Sequence, residues 1–187
     1  MALSKVQSSN INLADNFAFT GSVTGAGKVL QVGNRSLSTG ANLYTVGNYD
    51  WQYWSASELT FTSEDTNSKW YCNFTGLAAH RSANPISFTL VYKVGTGSWA
   101  NMTTNNLSGG YETGDLGMTG SWNAGSTDDW NSISLTAIAT VTAAAGSTIY
   151  FRLGMRNGGP STDSAGTNNM VGHSLYNMQM SAMEIKA

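Results

Sequence analysis

Charge is scarce in this sequence. Asp, Glu, Lys and Arg make up 11% of it, well under the roughly 25% of an ordinary globular protein. The 9 basic and 11 acidic residues leave a net charge of -2. No Lys/Arg cluster exists to neutralise a run of phosphates, so a nucleic-acid partner is not expected. Cysteine occurs once, as Cys72, which excludes an internal disulfide. Proline occurs twice, as Pro85 and Pro160. No stretch approaches the roughly 18 apolar residues that span a bilayer, so no membrane insertion is expected. The start, from Met1 to Lys5, lacks the basic and then apolar pattern of a signal peptide. With no staple available, the fold must rest on its core, and 187 residues suffice for one domain that buries roughly two thirds of its unfolded surface.

Gly, Ser, Thr and Asn fill the space that charge leaves, and they punctuate a period-two alternation of apolar side chains, the mark of half-buried strands. Leu59 and Phe61 alternate with Thr60 and Thr62. Trp70, Cys72 and Phe74 share one face, which makes Cys72 a small inward apolar residue and inert. Ile86, Phe88, Leu90, Tyr92 and Val94 form the clearest strand. It ends at Gly95-Thr96-Gly97-Ser98, and Trp99 begins the return arm of a hairpin. Ile133, Leu135, Ala137, Ala139 and Val141 alternate with Ser and Thr, and residues 143–146 make a turn. Ile149, Phe151, Leu153 and Met155 then face one way, with Tyr150, Arg152 and Arg156 opposite. Near the end, Tyr176, Met178, Met180 and Ala182 have one parity, and Met183 and Ile185 the other. A bulge near Ser181 or Ala182 would bring both sets to one face. With several strands and no convincing helix, the expected fold is all-β: an antiparallel β-sandwich, with the jelly roll a default form.

Motifs for chemistry largely fail. Gly27-Lys28 lacks the first glycine and the final hydroxyl of a phosphate loop. The match at Gly95, Gly97 and Ala100 to a dinucleotide fingerprint is followed by residues that cannot make the required helix. His80 and His173 stand far apart with no paired Cys-x-x-Cys, so no metal is expected. Gly159-x-Ser161 and Gly172-x-Ser174 lack the closing glycine of a nucleophile elbow. Asp163, Asn168 and Asn169 have no calcium-loop spacing. Glu112, Asp115, Asp128 and Asp129 offer carboxylates for glycoside hydrolysis but read as loop acids. The expectation is a protein with no catalytic residues and no cofactor.

Aromatics are the remaining signal. Trp51 and Tyr53 alternate to one side and Trp54 to the other, so members of this group are candidates for a subunit interface or a sugar platform. Tyr111, Trp122 and Trp130, in the glycine-rich stretch from Asn101 to Asn131, are candidates for stacking on glycans. Residues 1–28 cannot bury a core of their own. The segment is therefore either a frayed terminus or, with Phe17, Phe19 and Val23 to dock, an extended attachment arm ordered on another protein, and the second is the expectation carried forward. The chain thus divides into an attachment arm, 1–28, and a sandwich domain, 29–187.

Two stretches carry a resemblance. Met1 to Gln7 together with Phe17-Ala18-Phe19-Thr20-Gly21-Ser22-Val23-Thr24-Gly25 resembles the N-terminal arms of structural proteins of tailed bacteriophages, marine and cyanobacterial ones in particular. Ser181-Ala182-Met183-Glu184-Ile185-Lys186-Ala187 resembles the closing strand of their jelly-roll heads, which are similar to tumour-necrosis-factor-like domains, and Thr148 to Leu153 fits the penultimate strand. The resemblance implies a non-enzymatic virion protein, made in the host cytoplasm and carried on the virion surface. It implies a homotrimer whose arm fastens it to a capsid or tail protein as a decoration (cement) or head-fibre protein. A tail-fibre head, or a carbohydrate-binding module for host surface glycans, is the alternative. No heptads or internal repeats provide a shaft.

Overall fold

The structure, a computed structural model, describes residues 27–37, 44–46, 51–80, 86–103, 119–121, 129–157, 169–171 and 178–187. Phe17, Phe19, Val23, Tyr111 and Trp122 lie outside the described residues. Among those described there are eleven strands and no helix. They are β1 Val29–Leu37, β2 Tyr44–Val46, β3 Gln52–Thr62, β4 Lys69–His80, β5 Ile86–Val94 and β6 Ala100–Asn101. β7 Thr119–Ser121, β8 Asp129–Thr140, β9 Thr148–Asn157, β10 Asn169–Val171 and β11 Met178–Ile185 complete the set.

Two antiparallel sheets pack face to face as a β-sandwich, each four strands across. In the first, β4 pairs along its length with β8 and on its other edge with β11 and β10, which in turn pair with β1 and β2. In the second, the order is β3-β9-β5, with β6 and β7 both on the outer edge of β5. Alternation decides which side chains meet between the sheets. From the first come Trp70, Cys72, Phe74, Ile133, Leu135, Met178, Met180 and Ala182, and from the second Leu59, Phe61, Ile86, Phe88, Leu90, Ile149, Phe151, Leu153 and Met155. Phe61, Trp70 and Phe151 meet at the centre with ring centroids 5.0 to 6.0 Å apart. Gly33 on β1 leaves room for this group, because a Cβ there would lie 2.6 Å from the Phe61 ring.

The strand from Ile86 to Val94 and its hairpin form as the alternation predicts, with Gly97 N–H donating to Val94 O at 2.9 Å and Gly95 at φ 54°. The 143–146 turn also forms, with Gly146 at φ 86°. Two features differ from expectation. Ser87, Thr89 and Val91, on the supposedly open face of β5, are buried as well. The second is the expected bulge near Ser181, which is absent: β11 keeps unbroken register with β4 from Gln179 opposite Thr75 to Ile185 opposite Lys69. The inward set therefore continues from Ala182 to Glu184, and Met183 and Ile185 turn to the outer face.

A buried carboxylate replaces an apolar residue at that inward position because donors surround it. Gln31 Nε2 donates to Oε2, the Ser63 and Ser68 hydroxyls donate to Oε1 at 2.9 and 2.6 Å, and the Glu64 N–H reaches Oε2 at 3.0 Å. Burial by itself raises the pKa of this carboxyl. The hydrogen bonds from Ser68, Gln31, the Glu64 amide and Ser63 together outweigh it and hold the carboxyl below its ordinary value. Glu184 thereby ties the β3–β4 connection to β11. That connection is laced in turn to the loop after β8, through Asn67 N–H to Ala143 O and Val141 N–H to Ser68 O.

Candidate functional site

The outer face of the second sheet divides into two halves. One half is covered. Trp51 is half-buried with the Arg156 guanidinium 5.1 Å from its ring centre, and Arg156 itself is 1% exposed. Thr89 Oγ1 donates to Asn101 Oδ1 at 2.6 Å, and the Thr103 N–H also reaches that oxygen. These contacts explain why the outward residues of β5 near Ile86 are inaccessible.

The other half is a half-open aromatic and cationic face. Register places Lys93 of β5 beside Tyr150 of β9, and the pairing of Tyr92 with Ala100 carries Trp99 to the other side of Lys93. The ammonium of Lys93 lies 5.0 Å from the Trp99 ring centre and 4.7 Å from that of Tyr150. Arg152 lies 4.9 Å from the same Trp99 ring, and Tyr53 of β3 packs against Trp99 at 5.3 Å with the planes tilted by 36°. Glu58 holds Arg152 from the side, with Nη2 to Oε2 2.6 Å and Nε to Oε2 2.7 Å. Arg152 Nη1 also donates to Tyr53 O. The arrangement presents three rings, one cation matched by a carboxylate, and one cation, Lys93, that among the described residues is held by ring faces.

A second surface lies across the outer face of the first sheet. Val32 stands opposite Met183, Met183 opposite Tyr71 and Tyr71 opposite Ile138, so one apolar row crosses four adjacent strands. Val32 and Ile138 are 60% and 61% exposed. Val29 and Ile185 stand opposite each other in the neighbouring row, which continues to Lys69 and Thr140. The next row, Asn34, Ser181, Asn73 and Thr136, is polar but uncharged. Lys69 is the one charge among the described strand residues of this face.

Of the aromatics singled out in the sequence, Tyr53 stands in the aromatic and cationic face and Trp51 in the covered half beside it. Trp54 is a core residue, 3% exposed, and is removed from the candidates for an exposed surface. It faces inward opposite Leu153, as its parity demands. The backbone of Trp130 pairs with Ala79 in β8. Sequence reasoning passed over Trp99, Lys93 and Arg152 as a group. The signal was present: the Gly95 to Ser98 turn fixes Lys93 against Trp99, and the parity of β9 puts Tyr150 and Arg152 on one face. Of the candidate carboxylates for hydrolysis, Glu112, Asp115 and Asp128 lie outside the described residues, as do Tyr176 and His173. Among the described residues, no three His, Cys, Asp or Glu side chains gather as a metal would require. Compared with known proteins, the chain matches no family model and no curated sequence.

Proposed function

We propose that this chain is a structural, non-enzymatic protein of a phage virion, a self-associating sandwich head that an N-terminal arm fastens to a capsid protein. The observation that carries this reading is the apolar row Val32, Met183, Tyr71 and Ile138 on a sheet face whose described strand residues include a single charge, Lys69. Charge depletion with an apolar centre and a polar border is the make-up of a subunit interface. So little charge on the face leaves little to repel other copies of this chain packed around a shared axis, which favours a copy of this chain as the occupant. A homotrimer is the proposed assembly, in keeping with the resemblance of the two ends to phage head proteins.

Two further observations support the reading. Among the described strands, succession crosses from sheet to sheet at β2 to β3, β3 to β4, β4 to β5, β7 to β8, β8 to β9 and β9 to β10, and repeated crossing of this kind is in keeping with a jelly roll. The last two residues assigned to the arm also join the head at an edge: Gly27 N–H donates to Lys186 O at 3.0 Å, and Lys186 N–H to Lys28 O at 2.8 Å. In this reading the arm leaves from that edge and fastens the head to a capsid or tail protein.

Light scattering on the full chain tests the assembly, with Val32→Lys/Ile138→Lys as the comparison. Both side chains are exposed, so the pair leaves the core intact. A trimer that becomes monomeric in the double variant supports the proposal, and a wild-type monomer overturns it. The arm is tested separately by capsid attachment of a chain beginning at Val29, which is expected to be lost.

A further inference from the structure

We propose that the face formed by Tyr53, Trp99 and Tyr150 around Lys93 binds an acidic polysaccharide, a chain of pyranose rings bearing carboxylate or sulfate groups. This inference is independent of the virion reading and uses the opposite sheet from the proposed subunit interface.

The rings come first. Pyranose C–H faces stack on aromatic rings, and a stacking platform is most effective when its rings are already fixed. Trp99 is held by Tyr53 at 5.3 Å and by Arg152 at 4.9 Å, and Arg152 is itself anchored by Glu58. Tyr53, Trp99 and Tyr150 are all half-buried, so each keeps surface to offer, and the Tyr53 and Trp99 pair is restrained by mutual packing. Little side-chain entropy remains to be lost on binding.

The charge then selects the ligand. Arg152 spends its charge on Glu58. Lys93 has no carboxylate partner among the described residues, and its ammonium sits between the Trp99 and Tyr150 rings. Ring faces attract a cation without accepting its N–H groups as an oxygen would. Lys93 therefore presents hydrogen-bond donors and an uncompensated charge at the level where a stacked sugar would carry its substituents. A neutral glycan would leave that charge unmatched. A single-stranded nucleic acid would also stack, but its backbone calls for a cationic groove following several phosphates, and this face offers one unmatched cation. A uronic acid or a sulfated sugar supplies one anion beside one ring.

The test is affinity electrophoresis of the full chain through gels containing polygalacturonate, chondroitin sulfate or neutral dextran, with a thymidine oligonucleotide as competitor. Retardation by at least one of the two acidic polymers, little by dextran, and release by salt are expected. Lys93→Gln should weaken retardation about tenfold, and Lys93→Arg should retain most of it. Trp99→Ala should abolish it while far-ultraviolet circular dichroism stays unchanged. Lys93 is on the surface, so Lys93→Gln keeps the test decisive even if Trp99→Ala disturbs the hairpin. No retardation by either acidic polymer overturns the proposal. So does equal retardation by dextran, a response indifferent to Lys93→Gln, or displacement by the oligonucleotide at lower concentration than by free polygalacturonate.

Discussion

The Ser68 hydroxyl donates to Glu184 Oε1 at 2.6 Å, joining positions 116 residues apart in the sequence. With Gln31, Ser63 and the Glu64 N–H on the same carboxylate, this contact makes Glu184 the fastening between the β3–β4 connection and β11. The carboxyl lies below its ordinary value of 4.5 in the fold. Its contribution to stability is therefore complete above that value and is lost as pH falls through the lower, folded one. Glu184→Gln should cost about 2 to 3 kcal/mol near neutral pH. The gap in melting temperature between variant and wild type should narrow in acid. A gap that stays constant from neutral pH down to pH of about 2 would contradict the charged role.

Ser57 substitutes for a missing strand partner. Pairing of β3 with β9 breaks between Trp54 and Leu59, and in the break the Ser57 hydroxyl accepts from Leu153 N–H at 2.9 Å and donates to Trp54 O at 2.7 Å. Ser57 is fully buried. Ser57→Ala leaves that N–H without its partner and should destabilise by about 1 to 3 kcal/mol. Denaturant titration measures it, and an unchanged midpoint would refute the role.

Gly33 is required by the Phe61 ring. An added Cβ would meet Cζ and Cε1 at 2.6 and 2.7 Å, and Phe61 cannot swing freely because Trp70 and Phe151 flank it. Gly33→Ala should cost about 1 to 3 kcal/mol through overpacking. Adding Phe61→Leu should restore part of that loss, a coupling that a double-mutant cycle detects. Simple additivity of the two changes would mean the contact does not matter.

Cys72 reports on global opening. Its side chain is fully buried and burial pushes the thiol up to about 12, so almost no thiolate exists at mild alkaline pH. Labelling by a disulfide reagent should be negligible in the native protein and should follow unfolding as denaturant is added. Rapid labelling under native conditions would show that β4 opens locally.

Much of this architecture is legible in the alternation of side chains. Trp70, Cys72 and Phe74, and likewise Ile149 to Met155, are inward where parity puts them, because each period-two run has one face to bury. The last strand departs from the expected bulge for a physical reason. Apolar parity alone would bring Met183 and Ile185 to the inner face, whereas donors from residues 31 and 63–68, remote in sequence, let Glu184 take the inward position instead. Local pattern carries no record of such partners. The same limit hid the apolar row, since Val32, Met183, Tyr71 and Ile138 become neighbours only through the register of four strands. The Lys93 and Trp99 pair was within reach, because one turn sets it.

The position of β11 shapes the order in which this molecule can be completed. β11 lies between β1 and β4, the earliest strand described and one near the middle of the chain, yet it follows every other strand in sequence. While a ribosome is still translating residues 38–177, β1 has no backbone partner in its sheet, and the inward side of β4 lacks Met178, Met180 and Ala182. Closure of that sheet waits for contacts that span almost the whole chain, the kind of topology that folds slowly. Until then β1 presents unpaired backbone, the kind of exposed edge through which incomplete chains associate before they close into a stable sandwich.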